Sequence, residues 1–171
     1  MKKLIFQTIQ ESDLPEVLAM FKTAAERISK MNIDHWQYWK NPPQEKINWV
    51  EAGIKNHEYF FILNGENIKI GMLRILDEDL LYWGKQNKKA KYVHSLVVKD
   101  EFTGKNLAKE ILDKVEILAL KDACKFLRLD CDSKNQKLCT FYENLSFKKN
   151  GEKELPLSIY NLYERKVRIN N

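Results

Sequence analysis

YVHSLVVKDEFTGKNLAKEILDKVEILALKDACKFLRLDCDSKNQKLCTFYENLSF, residues 92–147, carries the pattern from which the rest of the chain can be read. Tyr92–Val98 is β-rich and reads as a strand. Lys99–Thr103 is a short connection, and Gly104 opens a turn. From there Leu107, Ala108, Ile111, Leu112, Val115, Leu118 and Ala119 recur at helical spacing, the cleanest such periodicity in the sequence. Lys125–Cys131 alternates as a second strand, and Leu138, Phe141, Tyr142 and Leu145 place a short helix. A strand, helix, strand succession of this kind closes as a right-handed crossover, so the two strands run parallel.

Outward from this stretch, residues 3–10 read as a strand. Ser12 and Asp13 offer N-cap oxygens, with Pro15 and Glu16 in the first turn. Leu14, Val17, Leu18, Phe21, Ala25, Ile28 and Met31 then form one apolar stripe. The segment MNIDHWQYWKNPP crowds His35, Trp36, Tyr38 and Trp39 ahead of the Pro42-Pro43 breaker. Its rings suit either a loop packed on the domain edge or a wall of an acceptor pocket. Gln44–Lys55 is a second helix with Ile47, Val50 and Ile54 on one face. Glu58–Leu63 and Ile68–Leu76 form a hairpin about Asn64-Gly65. Asp77, Glu78 and Asp79 are either solvated or an attraction for a cationic amine. Lys85, Lys88, Lys89 and Lys91 are either a solvated loop or a means of steering a phosphorylated ligand. Phe147–Lys153 and Ser158–Val167 are the last strands, around Gly151 and Pro156.

A chain of 171 residues is expected to form one domain, residues 1–171, with a substantial core. No apolar run approaches the ~20 residues of a membrane span. The N-terminus lacks a sustained apolar core and cleavage site, so a cytoplasmic protein is expected. Cys124, Cys131 and Cys139 form no metal-ligand pair, and His35, His57 and His94 are scattered, so no metal is expected. The net charge of +5 suits an anionic ligand. A nucleic-acid binder is disfavoured, because no basic recognition helix is present.

The chemistry centres on Gly104. Glycine can take φ > 0 or allow a ligand close to the backbone. The helix that follows presents free N–H groups and a partial positive charge to an anion, and Lys105 and Lys109 add charge. A plain structural turn is the alternative. No GxGxxG or GxxxxGK[ST] occurs, which argues against a dinucleotide fold or a P-loop.

Three segments resemble the GNAT family of N-acetyltransferases. Ser95–Val98 followed by TGKNLA at Thr103–Ala108 looks like the family's acetyl-CoA loop, R/Q-G-x-G-x-G/A. RLDC at Arg128–Cys131 is followed by Asn135. FYENLSF at Phe141–Phe147 is similar to the family's FY-x-x-x-GF. Thr103, Asn106 and Ser146 depart from the pattern, the last two standing where the family has glycine.

The resemblance implies an α/β (α+β) fold with a mixed, mostly antiparallel twisted sheet of about seven strands, a central splayed parallel pair, and four helices on both faces. It implies acetyl-CoA as cosubstrate, an unidentified amine acceptor, no metal, no nucleic acid, no membrane, and a monomer or homodimer. Backbone groups of Leu96, Val97 and Val98 would pair with the pantetheine arm. Those of Thr103, Gly104, Lys105, Asn106, Leu107 and Ala108 would hold the pyrophosphate. Asn135 would bind the cofactor or fix the strand.

Tyr142 would protonate the departing thiolate, the ordinary phenol pKa of ~10 lying near that of a thiol. On the first strand, Tyr92, His94, Leu96 and Val98 share a face by period-two geometry. His94 is the candidate base, with a structural histidine or the acids at 77–79 acting through water as alternatives. His35, Trp36, Trp39 and Trp83, beside Tyr82, are candidates for the acceptor pocket. The altered loop keeps a second reading open, a non-catalytic module that binds or senses CoA.

Overall fold

The computed structural model describes residues 4–168. Among them, strands and α-helices follow as β1 (Ile5–Thr8), α1 (Leu14–Ser29), α2 (Gln44–Lys55), β2 (Tyr59–Leu63), β3 (Lys69–Leu76), β4 (Ala90–Val98), α3 (Leu107–Lys121), β5 (Phe126–Asp132), α4 (Gln136–Asn144), β6 (Lys148–Leu155) and β7 (Ser158–Lys166). This is the order read from the sequence. The strands form one seven-stranded mixed sheet in the order β1-β2-β3-β4-β5-β7-β6. The pairs β1–β2, β2–β3, β5–β7 and β6–β7 are antiparallel. β4 and β5 are parallel, as the crossover through α3 requires.

Contacts gather the chain into two compact units, Met1–Arg74 with Ser95–Ala108, and Ile75–His94 with Lys109–Asn171.

In the first unit, Asp13 does not cap α1 with its side chain. Its Oδ2 instead accepts the Gln10 N–H at 2.9 Å, across a single 3-10 turn at Glu11–Asp13. The buried stripe of α1 comprises Val17, Met20, Phe21, Ala24 and Ala25, and it packs with Val50 and Ile54 of α2, Tyr59 and Phe61 of β2, and Met72 of β3. Each fully buried aliphatic or aromatic side chain contributes roughly 1.5–3 kcal/mol. The helix ends at Ser29, so Met31 falls outside the expected stripe and is exposed. The β2–β3 turn forms as read: Asn64 Oδ1 accepts the N–H groups of Glu66 (2.9 Å) and Ile68 (3.0 Å).

In the second unit, Trp83, Ala90, Tyr92, Phe126 and Leu162 form a core around a buried arginine. Arg128 donates from Nη1 to the Tyr92 hydroxyl (2.8 Å) and from Nε to Glu164 (2.9 Å), with its guanidinium 4.7 Å from the Trp83 ring centre. These partners offset the cost of burying the charge. On α3, Ile111, Leu112, Val115 and Ala119 are buried. Glu116 on the same helix receives Nη2 of both Arg165 and Arg168 at 2.9 Å. Of the clustered lysines, Lys91 at the start of β4 pairs with Asp77 (2.7 Å) and Asp122 (2.5 Å), and Lys89 in the loop before it donates to the Asp122 carbonyl. Those two lysines therefore tie the loop to its own unit.

Candidate active site

The turn ahead of α3 has the backbone the sequence suggested. Gly104 has φ 74 and Asn106 has φ 58. Both are left-handed, a region glycine enters freely and asparagine more readily than most residues. A Cβ built on Gly104 would meet no atom within 4 Å, so the space against this turn is open. Thr103 Oγ1 donates to the Asp100 carbonyl at 2.8 Å, which closes the connection from β4. Lys109 pairs with Asp113 at 2.6 Å and Lys105 bends back towards the Glu101 carbonyl, 3.4 Å away.

β4 supplies the second part of the first unit's site. Ser95 has φ 54, which interrupts the pleat. Strict period-two alternation therefore stops there, and the expected common face of Tyr92, His94, Leu96 and Val98 does not extend past Ser95. Beyond the break, Lys99 N donates to the Ile70 carbonyl (2.9 Å), and the Val97 carbonyl packs against Gly71 of β3. By alternation the Val98 peptide groups point away from β3. The Val98 carbonyl accepts Arg27 Nη1 at 2.9 Å, and the same nitrogen pairs with Asp100. A cavity of about 480 Å³ lies here, lined by Glu16, Met20 and Arg27 of α1 and by Val97, Val98 and Asp100. Arg27 was not among the residues singled out from the sequence. Its place on the polar side of the α1 stripe was the available signal.

The aromatic segment is built into its own unit. Trp36 takes φ 65 and leads a 3-10 turn, Gln37–Lys40. Gln37 Nε2 donates to the His35 carbonyl at 3.0 Å, fixing the turn. Trp39 is 2% exposed and stacks on Phe21 with ring centres 4.1 Å apart, so its ring belongs to the core. Trp36 meets Phe21 edge-on at 5.6 Å and His35 at 5.8 Å, and both it and His35 stay partly exposed.

In the second unit, β4 and β5 pair in parallel from Ala90↔Phe126 to Val93↔Leu129, where the register ends although both strands continue. Asn135 caps α4: its Oδ1 accepts the Leu138 N–H at 3.1 Å. Tyr142 is 8% exposed, with its ring against Phe141, Phe147 and Tyr163. Burial pushes its phenol well above the ordinary value, and the Cys131, Asp130 and Cys139 groups nearby push the same way. The hydroxyl thus keeps its proton across the working pH range. Trp83 is buried, meeting Tyr92 at 6.0 Å and Arg128 through its ring face.

His94 is where this unit concentrates charge. Its Nε2 lies 2.8 Å from Asp79 Oδ2, and its Nδ1 lies 3.3 Å from Asp130 Oδ1. All three side chains are nine-tenths buried or more. Burial lifts the Asp130 carboxyl to about 6, with His94 opposing and Asp79 reinforcing the rise. Of the acids at 77–79, Asp79 is thus the one that reaches the histidine, whereas Asp77 is spent on Lys91. Asp130 had escaped notice in the sequence. KFLRLDC also holds Lys125 and Arg128, so one acid in that strand does not stand out.

Comparison with known proteins agrees with this architecture. The acetyltransferase from Listeria monocytogenes, described as GNAT family, superposes with a TM-score of 0.78 at 20% identity, covering 97% of this chain and 99% of that one. A GNAT-family acetyltransferase from Streptococcus agalactiae gives 0.76 at 17% identity, covering 98% and 96%. Mutant forms of the spermidine/spermine N-acetyltransferase SpeG from Vibrio cholerae give 0.62 at 13% identity, covering 96% and 95%. At these identities the likeness is one of fold. No curated protein matches by sequence. The profile of the acetyltransferase (GNAT) family, however, matches residues 25–147. That span takes in the turn at Gly104, the register of β4 with β5, and Tyr142, and with most of the sequence matched the chain belongs to the acetyltransferase (GNAT) family.

Proposed function

We propose that this protein transfers an acetyl group from acetyl-CoA to a primary amine by direct attack of the amine on the thioester. The observation that carries the reading is the turn at Thr103–Ala108. Two left-handed residues stand directly before the α3 N-terminus, with open space above Gly104. Free N–H groups and the helix dipole at such a turn suit a pyrophosphate. Asn106, which replaces a family glycine, has the backbone conformation glycine favours, so the substitution leaves the path of the turn intact.

The remaining roles follow from the residues. Peptide groups of Leu96 and Val98, which alternation beyond the Ser95 break turns away from β3, serve the pantetheine arm as an added strand would, while those of Val97 are taken up against β3. The N–H of Val98 stabilises the oxygen that gains charge as the thioester carbonyl is attacked. Asn135 acts by fixing the start of α4, since its oxygen is committed to the cap. Tyr142, protonated at every working pH, gives its proton to the thiolate as the carbon–sulfur bond breaks. His94 takes the proton of the acceptor ammonium so that nitrogen has a lone pair to attack with. The open edges of His35 and Trp36 are the part of the aromatic segment available to an acceptor.

The test uses the intact chain with acetyl-CoA. Thermal stabilisation together with free thiol released in proportion to an added amine supports the reading. Stabilisation without thiol release across a broad amine panel favours a CoA-binding module. Absence of any stabilisation overturns both.

A further inference from the structure

The residues around His94 do more than bury a histidine. Asp79 comes from the segment after β3, His94 from β4 and Asp130 from β5, so three separate elements deliver one imidazole between two carboxylates. Asp130 Oδ1 is buried and has no hydrogen-bond partner, although it stands 3.3 Å from His94 Nδ1. An unpaired buried carboxylate oxygen is costly, and a folded protein tolerates it where it has a use. Tyr82 packs on the imidazole at 5.2 Å and Tyr160 packs edge-on against Tyr82. The charge of Asp130 reaches the Tyr142 phenol, and that of Asp132 reaches Tyr160.

A metal ion is the other occupant such a trio suggests, since one ligand atom from each residue lies within 4.8 Å of the others. The contacts speak against it. Asp79 faces Nε2 and Asp130 faces Nδ1, opposite edges of one ring, whereas a metal binds a single ring nitrogen. The arrangement instead matches a histidine whose charge and tautomer are controlled from both sides.

We propose that Asp79 and Asp130 are positioning residues for His94, Asp79 holding the proton on Nε2 and Asp130 stabilising the imidazolium that forms when His94 takes a proton from the acceptor ammonium. This rests on the amine-acetylation reading and supplies its base. The step balances simply. The N–H bond of the ammonium breaks and its electron pair stays on nitrogen. The proton passes by way of Asp130 Oδ1, which faces His94 Nδ1 at 3.3 Å, to the lone pair of that nitrogen, and the new positive charge lies between the two carboxylates. The freed amine then forms the carbon–nitrogen bond as the carbon–sulfur bond breaks. Tyr142 gives its proton to the thiolate, and the surplus proton of the new amide nitrogen restores the phenol, so that the products are the neutral amide and the CoA thiol.

The experiment reads His94 directly. Long-range nitrogen–proton NMR on imidazole-labelled protein reports tautomer and titration. The chain has three histidines, so His94→Gln assigns the signal. In the intact protein His94 carries its proton on Nε2 at high pH and becomes imidazolium as the pH falls. Asp130→Asn moves the titration midpoint down by about one pH unit or more, and Asp130→Glu restores part of it. Asp79→Asn redistributes the tautomers. In turnover, Asp130→Asn lowers kcat at least tenfold, shifts the kcat–pH profile with the NMR midpoint, and leaves KM for acetyl-CoA within twofold. A midpoint unmoved by Asp130→Asn overturns the proposal. So does a Zn²⁺ or Mn²⁺ titration that shifts the His94 signal stoichiometrically, which would make the trio a metal site. If the intact protein releases no thiol with any amine, the acetylation reading fails, while the NMR still decides whether Asp79 and Asp130 control His94.

Discussion

The carbonyl of Val97 packs so closely on Gly71 that a Cβ there would fall within its van der Waals envelope, with the Val97 carbonyl carbon and Val98 Cα both 3.3 Å away. The obstacle is backbone, which no rotamer change relieves. Gly71→Ala must therefore push β3 and β4 apart beside Val98, which we propose serves acetyl-CoA. We expect a loss of ~1–3 kcal/mol in urea unfolding and weaker acetyl-CoA binding by calorimetry. A variant of unchanged stability would show that the strands part at no cost.

Arg27 holds the end of β4 from the α1 side, through the Val98 carbonyl and Asp100. Arg27→Leu keeps bulk and removes both bonds, leaving the carbonyl without its charged donor. The side chain is 29% exposed, so water takes over part of the interaction. The expected cost is about 1 kcal/mol, with acetyl-CoA affinity reduced several-fold because the connection to Gly104 loosens. Tighter binding in Arg27→Leu would mean that Arg27 competes for the Val98 carbonyl.

Ser146, which departs from the glycine of the FY-x-x-x-GF pattern that its segment resembles, has φ 66. A side chain in this region costs ~1–2 kcal/mol, part of which glycine gives back as unfolded-state entropy. Ser146→Gly should gain up to ~1 kcal/mol, and Ser146→Val should lose more than that, since branching at Cβ aggravates the strain. Equal melting temperatures for both variants would remove backbone strain as the reason.

These three sites show which parts of the structure the sequence could express. The α3 stripe and the Asn64-Gly65 hairpin were legible because each is a local periodicity or a local turn preference. Gly104 was legible for the same reason. The break at Ser95 was not, because serine is an ordinary strand residue and the left-handed turn there has no local marker. The meeting of Asp79, His94 and Asp130 was not legible either. It depends on three elements brought side by side, and sequence spacing says nothing about that. Trp39 shows a further case: its aromatic neighbours suited either a loop packed on the domain edge or a pocket wall, and stacking on Phe21 takes its ring into the core.

Asp130 links stability to pH in a direction opposite to a salt-bridged acid. Its folded-state pKa is raised from 3.8 to about 6 by burial, so the fold favours the protonated form. Stability is then greatest at low pH as far as this group is concerned, and falls as pH rises from 3.8 through 6. At ~1.36 kcal/mol per pH unit the deficit reaches ~3 kcal/mol at neutrality. Asp130→Asn should recover up to that amount in denaturant unfolding at pH 7.5, with a gain that shrinks towards pH 4. A gain independent of pH would trace the effect to packing instead of charge.

Tyr142→Phe separates the acid role from the packing role. The ring contacts with Phe141, Phe147 and Tyr163 are retained, so stability should stay within ~1 kcal/mol and KM for acetyl-CoA within twofold. If the hydroxyl protonates the leaving thiolate, kcat falls by roughly 10²–10⁴. The intact protein adds a second readout. Because burial raises the phenol above its ordinary value, Tyr142 keeps its proton past pH 10. The kcat–pH profile should therefore show no descending limb from this residue in the accessible range, and any limb below pH 9 should survive in Tyr142→Phe. Full turnover by the phenylalanine variant would remove Tyr142 as the proton donor and leave water or the acceptor ammonium to supply the proton.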